Sequence, residues 1–141
     1  MQFRRFGTKY YVRIDRGEEI MSTLKKFCES ERITLAEVKA LGAVDDFTVG
    51  LFDVKEKKYH SNNFKFDAEI TSLWGTVTTM NGEVYLHIHM SAGDIHGQVY
   101  GGHLSRAVVS ATCEMIIDVS EGIVERKMND DVGLNLFEFT D

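Results

Sequence analysis

Residues 64–91 read FKFDAEITSLWGTVTTMNGEVYLHIHMS, and the fold turns on this stretch. Phe64, Phe66, Ala68, Ile70, Ser72, Trp74, Thr76 and Thr78 share one parity, the two-residue period of a strand with one face toward a core. Asn81-Gly82 comes next, a dipeptide suited to a two-residue hairpin turn because both positions tolerate positive φ. Glu83 to Ser91 is predicted to run back along the first strand, so the centre of the chain is an antiparallel hairpin.

The flanks extend this pattern. Upstream, Leu35 to Ala40 and Phe47 to Val54 are strand candidates, with Gly42 and Asp45-Asp46 as breaks and Lys55 to Lys58 as a charged turn. Phe3 to Phe6 and Lys9 to Ile14 read as a short strand pair around Gly7-Thr8. Between these β segments, Asp15-Arg16-Gly17-Glu18 matches a capping box. From Glu18 to about Glu31, Ile20, Met21, Leu24, Phe27 and Cys28 fall on one helical face. Downstream, Gly93 to Gly102 reads as a glycine-punctuated loop. Ala107 to Val119 suits a buried strand, with a helical start near Ser105 as the alternative, and Leu134 to Phe139 is a closing strand. One helix against many strands predicts an α+β fold: a mixed, antiparallel-rich sheet packed with one main N-terminal helix.

With 141 residues, no proline, no low-complexity stretch and no internal repeat, the chain reads as a single domain spanning 1–141. No segment approaches the roughly 18 consecutive apolar residues of a membrane span, so a soluble, cytoplasmic protein is expected. The formal charge is −6, which disfavours nucleic-acid binding from this chain alone. Cys28 and Cys113 both lie in apolar patterns and are expected to be inert core thiols.

Four of the five histidines, His87, His89, His96 and His103, lie within 17 residues. His87 and His89 are two apart in a predicted strand, so both imidazoles share a face while Leu86, Ile88 and Met90 point away from it. Such a pair either grips one metal ion or is an ordinary hydrogen-bonded surface pair. His103 follows Gly101-Gly102, and adjacent glycines let a loop fold back and aim it at the pair. Three imidazoles suit zinc, and also iron, nickel or copper, and they leave a fourth position for water or a small molecule. His96 is a weaker fourth candidate. Asp94 is read either as an orienting carboxylate behind an imidazole or as a turn residue.

The stretch Leu86–Leu104, LHIHMSAGDIHGQVYGGHL, resembles the signature of the plants-and-prokaryotes-conserved (PPC) domain: HxH, a short loop with Asp and Gly, then GGHL. Glu69–Gly75, EITSLWG, is similar to that family's EI-x-SLxG strand, and the likeness runs over essentially the whole chain. It implies a mixed α+β sheet domain that forms a homotrimer, with a metal on His87, His89 and His103. It also implies a fold similar to that of alpha-acetolactate decarboxylase, a metal enzyme with a comparable three-histidine site. The family carries a DNA-binding label. Its plant members bind through an Arg-Gly-Arg-Pro hook outside this domain, which a chain without proline lacks.

Three functions compete. A metal-dependent protein acting on a small carbonyl or carboxylate molecule would need an acid/base and a cation for an anionic group. Glu69 and Arg106 are the candidates, against ordinary surface charges. A DNA-associated regulator would use Arg4, Arg5, Lys9, Arg13 and Arg16, or Lys55, Lys57 and Lys58, which otherwise serve as solubilising charge. A trimeric interaction module would close the metal site, with His96 as the candidate fourth ligand.

Overall fold

The computed structural model describes residues 1–139. Strands β1 (Gln2–Phe6) and β2 (Lys9–Asp15) precede the single helix among these residues, α1 (Ile20–Ser30). Then follow β3 (Ala36–Asp53), β4 (Lys58–Phe64), β5 (Ala68–Met80), β6 (Glu83–Gly93), β7 (Val99–Val119), β8 (Glu125–Asn129) and β9 (Leu134–Glu138). The chain is thus mostly sheet, and the α+β description fits only loosely. The expected main N-terminal helix is an 11-residue element that comes third, after two strands.

Every strand pair is antiparallel except one parallel bridge, Thr79 to Glu125, between β5 and β8. The pairing closes on itself, from β3 to β5, β5 to β6, β6 to β7 and β7 back to β3. Such closure removes free edges from the centre of the sheet. Phe47, Val38, Val44, Val49, Leu73, Ile88, Leu104 and Ile117 are buried as one continuous core. Helix α1 adds Ile20, Leu24, Phe27 and Cys28 to it. Cys28 and Cys113 are buried free thiols, and desolvation pushes both up to about 12.

Several local expectations change. The helix begins later than the capping box predicts, because Gly17 takes φ +83° and turns the chain before the helix starts. Glu18 still accepts from the Asp15 N–H at 2.7 Å, while Glu19 is the N-cap, accepting from Met21 N at 3.0 Å and Ser22 N at 2.7 Å. The same carboxylate accepts from Ala107 N of β7 at 3.0 Å, tying helix to sheet. Glu19→Ala is therefore expected to cost about 1–2 kcal/mol in denaturant unfolding, at the upper end for a cap.

Gly42 and Asp45-Asp46 do not break the chain into two strands. They are irregularities within β3, where its register with β7 shifts. At Gly42 (φ +150°) an added Cβ would lie 2.2 Å from Thr112 O, so glycine permits the close approach. The alternation expected over 64–79 is interrupted twice. Residues 65–67 separate β4 from β5, and a shift between Ile70 and Ser72 reverses the parity. Leu73 and Val77 are therefore inside, and Trp74 is exposed, donating from Nε1 to Glu37 Oε1 at 2.8 Å. The predicted 93–102 loop shrinks to residues 94–98, since Gly101 and Gly102 lie in β7. Residues 105–119 are strand throughout, with no helical start.

Candidate metal centre

The hairpin turn fixes where the histidines stand. Asn81 (φ +54°) and Gly82 (φ +77°) both take positive φ, as a two-residue turn of this hand requires. Register then follows down the ladder: Met80 faces Glu83, Thr78 faces Tyr85, Thr76 faces His87 and Trp74 faces His89. Ile88 and Met90 point into the core and are buried, so alternation carries His87 and His89 to the outer face.

His103 arrives by a different route from the expected one. It is a strand residue of β7 directly opposite His89, not the tip of a folded-back loop. The two glycines before it serve packing between strands. A Cβ on Gly102 (φ +156°) would lie 2.5 Å from Gly50 O of β3, and one on Gly101 would lie 2.9 Å from Met90 O of β6. Their absence of side chains lets β7 lie close to both neighbours at the histidine. Tyr59 of β4 supports the far side, its ring centroid 5.9 Å from that of His103 and its hydroxyl donating to His103 O at 3.1 Å.

The three imidazoles converge. One ring nitrogen from each of His87, His89 and His103 lies within 4.8 Å of the others, and the ring centroids are 5.2, 5.3 and 5.6 Å apart. A tetrahedral ion at about 2.0–2.1 Å needs nitrogens roughly 3.3 Å apart, which small side-chain rotations supply from this starting point. His87 and His89 are exposed and His103 is half-buried, so one side of the cluster is open to solvent.

Electrostatics keep the cluster ready for a cation. His87 is held down at about 4, first because the surrounding protein desolvates it despite its open edge, then because Arg126, His103 and His89 oppose a further positive charge. His103 is lowered too, by desolvation and by His89. Neutral imidazole is the form that binds a metal. A stability consequence follows for the metal-free protein. Unfolded, His87 takes up its proton near the ordinary 6.5; folded, it resists down to about 4. The unfolded state therefore binds more protons across that window, and stability falls as pH drops through it. With solvent screening the expected loss is about 1–2 kcal/mol between pH 6.5 and 4. His87→Gln should remove that part of the slope in pH-dependent urea melts.

The other predicted residues stand apart from this cluster. Glu69 faces Gly93 of β6, four residues from His89, or about 13 Å along the strand. Arg106 is committed to Asp46, Nη1 to Oδ2 at 2.9 Å. His96 is exposed in the 94–98 turn. Asp94 orients no imidazole: its Oδ1 accepts from His96 N at 2.8 Å and Gln98 N at 2.9 Å, closing that turn. A second group, Asp53, Glu56 and His60, also gathers within 4.8 Å at the β3–β4 turn. There Asp53 Oδ1 accepts from Lys55 N and Glu56 N, so it too closes a turn.

Two residues beside the cluster, Tyr59 and Arg126, have no sequence signal, and Trp74 was expected on the opposite face. Tyr85-x-His87-x-His89 was a usable signal for one side of the site. Nothing local marked Arg126, 37 positions further on from His89.

No curated protein sequence matches the chain significantly. Among solved structures, a candidate DNA-binding protein of Bacteroides thetaiotaomicron VPI-5482 is 31% identical, with a TM-score of 0.96 over 98% of this chain and 96% of that one. A metal-containing protein of Archaeoglobus fulgidus is also 31% identical, with a TM-score of 0.87 over 99% of each chain. Acetolactate decarboxylase of Bacillus subtilis subspecies spizizenii shares the fold at 17% identity and a TM-score of 0.58, over 86% of this chain and 57% of that enzyme. The sequence profile of the Plants and Prokaryotes Conserved (PCC, also abbreviated PPC) domain matches residues 1–121, more than half of the 141. This chain belongs to the Plants and Prokaryotes Conserved domain family.

Proposed function

We propose that His87, His89 and His103 hold zinc or another divalent transition metal, with one coordination position open to a small molecule bearing a carbonyl or carboxylate. One observation carries the reading: three imidazole nitrogens gather within 4.8 Å on the exposed face of paired strands. The metal-containing A. fulgidus relative, at 31% identity, supports it. A metal on three histidines polarises a carbonyl oxygen or lowers the pKa of a bound water toward neutrality. The chain's own part is to hold the rings neutral, fix their spacing through β-sheet register and leave the outer side open.

The open position is testable. In protein loaded with cobalt(II), azide should alter the visible spectrum by entering the free position. An unchanged spectrum would mean a closed four-coordinate site, as in the interaction-module reading with His96. The family likeness also supports a cytoplasmic homotrimer, and Trp74, exposed beside His89, is the kind of side chain a subunit contact covers. Light scattering at three times the 16.0 kDa chain mass is the expected result, and a value at one chain mass would contradict it.

A second reading, association with DNA, is favoured by the description of the B. thetaiotaomicron neighbour. The charge of this chain weighs against it. The net charge is −6, and two of the eight cations named for that role are already paired, Lys9 with Asp118 and Arg13 with Asp15. Phosphate binding needs unspent cations.

A further inference from the structure

Arg126 is a costly residue to keep where it is. It is only 7% exposed, and no carboxylate among the described residues pairs with it. Buried charges are ordinarily paired, because desolvating an ion is far more costly than desolvating a neutral side chain. Its plane is locked between two rings, with the guanidinium carbon 4.7 Å from the Tyr85 centroid and 4.5 Å from that of Phe137. Nε donates to Thr78 Oγ1 at 2.8 Å, Nη1 to Asn135 O at 2.8 Å and Nη2, more weakly, to Thr76 Oγ1 at 3.4 Å. A guanidinium has five N–H groups, so two have no partner among the described residues.

Two further facts place this group in the metal centre's surroundings. Thr76 is the cross-strand partner of His87, so the guanidinium reaches the position next to a predicted ligand. Asn135, whose carbonyl accepts from Nη1, has a buried side-chain oxygen with no partner. Rotating that amide by 180° would present an N–H instead. Asn135 Nδ2 donates to Tyr85 OH at 3.4 Å, so only its oxygen is left over, and the unspent N–H groups of Arg126 still await acceptors. The hairpin carrying both, β8–β9, lies beyond the 1–121 family match.

We infer that Arg126 is the carboxylate-binding residue of the metal centre, and that the site takes small carboxylic acids with a second oxygen, hydroxyl or carbonyl, for the metal. The inference rests on the metal reading above. An ion at the three histidines holds one end of such a molecule and the planar fork holds the other, which fixes its orientation as well as its charge. Arg106, the earlier candidate for this role, is occupied by Asp46.

Lactate and its uncharged amide, lactamide, are suitable probes for the zinc-loaded protein. Calorimetry should show lactate binding more tightly than lactamide. Arg126→Gln should weaken lactate by about 10- to 100-fold, the range for a lost charge-assisted contact, and leave lactamide nearly unchanged. Arg126→Lys, which keeps the charge and loses the fork, should fall between. Because Arg126 is buried, the wild-type protein supplies a second readout that needs no variant: its guanidinium NMR resonances should shift on adding lactate and stay in place with lactamide. Lactate that binds with those resonances unmoved, or equally well to Arg126→Gln, would overturn the inference while leaving the metal site intact. Failure of lactate to bind the zinc-loaded protein would also overturn it. Failure of zinc itself to bind would instead remove the reading on which the inference stands.

Discussion

Gly75→Ala is expected to destabilise the protein by about 3 kcal/mol or more and to cost it most of its metal affinity. A Cβ at this position would lie 2.1 Å from His87 O and 2.7 Å from Ile88 Cα, both backbone atoms of β6. Neither can rotate away as a side-chain tip would, so β6 must move, and it carries His87 and His89. Gly93→Ala, on β6 itself, is the control. Its Cβ would first meet Thr71 Cγ2 at 3.4 Å, an ordinary contact, and the expected change is within about 0.5 kcal/mol. Urea melts and zinc titrations on the two variants check both halves. Equal behaviour of the two would refute the claim that close β5–β6 packing positions the ligands.

The second large effect is on thermal stability when metal is removed. A ligand that binds only the folded state adds about 2.7 kcal/mol when its free concentration is 100 times its dissociation constant. For a chain of this size that corresponds to roughly 8 °C in Tm. Zinc-loaded protein should therefore melt about that much higher than protein stripped with a chelator, and readdition should restore it. In His89→Ala, which removes the imidazole facing His103, the shift should vanish although the metal-free fold remains. A shift retained in that variant would place the ion elsewhere, with Asp53, Glu56 and His60 the first group to test.

Much of the centre was legible because it depends on local rules. Asn81-Gly82 specified a two-residue turn, the turn set the register, and strand alternation then put His87 and His89 together with Ile88 and Met90 behind them. His103 joined the site for a reason the sequence did not display. Gly101-Gly102 looked like loop chemistry, whereas Gly102 lies against the backbone of Gly50, a contact between segments 52 positions apart. Trp74 was assigned to the wrong face because one shifted register between Ile70 and Ser72 reverses everything after it. Gly42 and Asp45-Asp46 resembled breaks for the same reason: irregularities inside a long strand use the same residues that end a short one. Arg126 shows the limit most clearly. Its setting is made by Thr76, Thr78, Tyr85, Asn135 and Phe137 from three other strands, and no local pattern encodes a pocket assembled that way.

The most direct test is elemental analysis of protein purified without chelators or a histidine tag, set beside a His87→Ala, His103→Ala double variant whose fold is checked by circular dichroism. The expected result is about one transition-metal ion per parent chain and almost none in the variant. Parent protein that stays free of metal even after soaking in zinc, or a variant that keeps the same content, would contradict a metal centre at His87, His89 and His103.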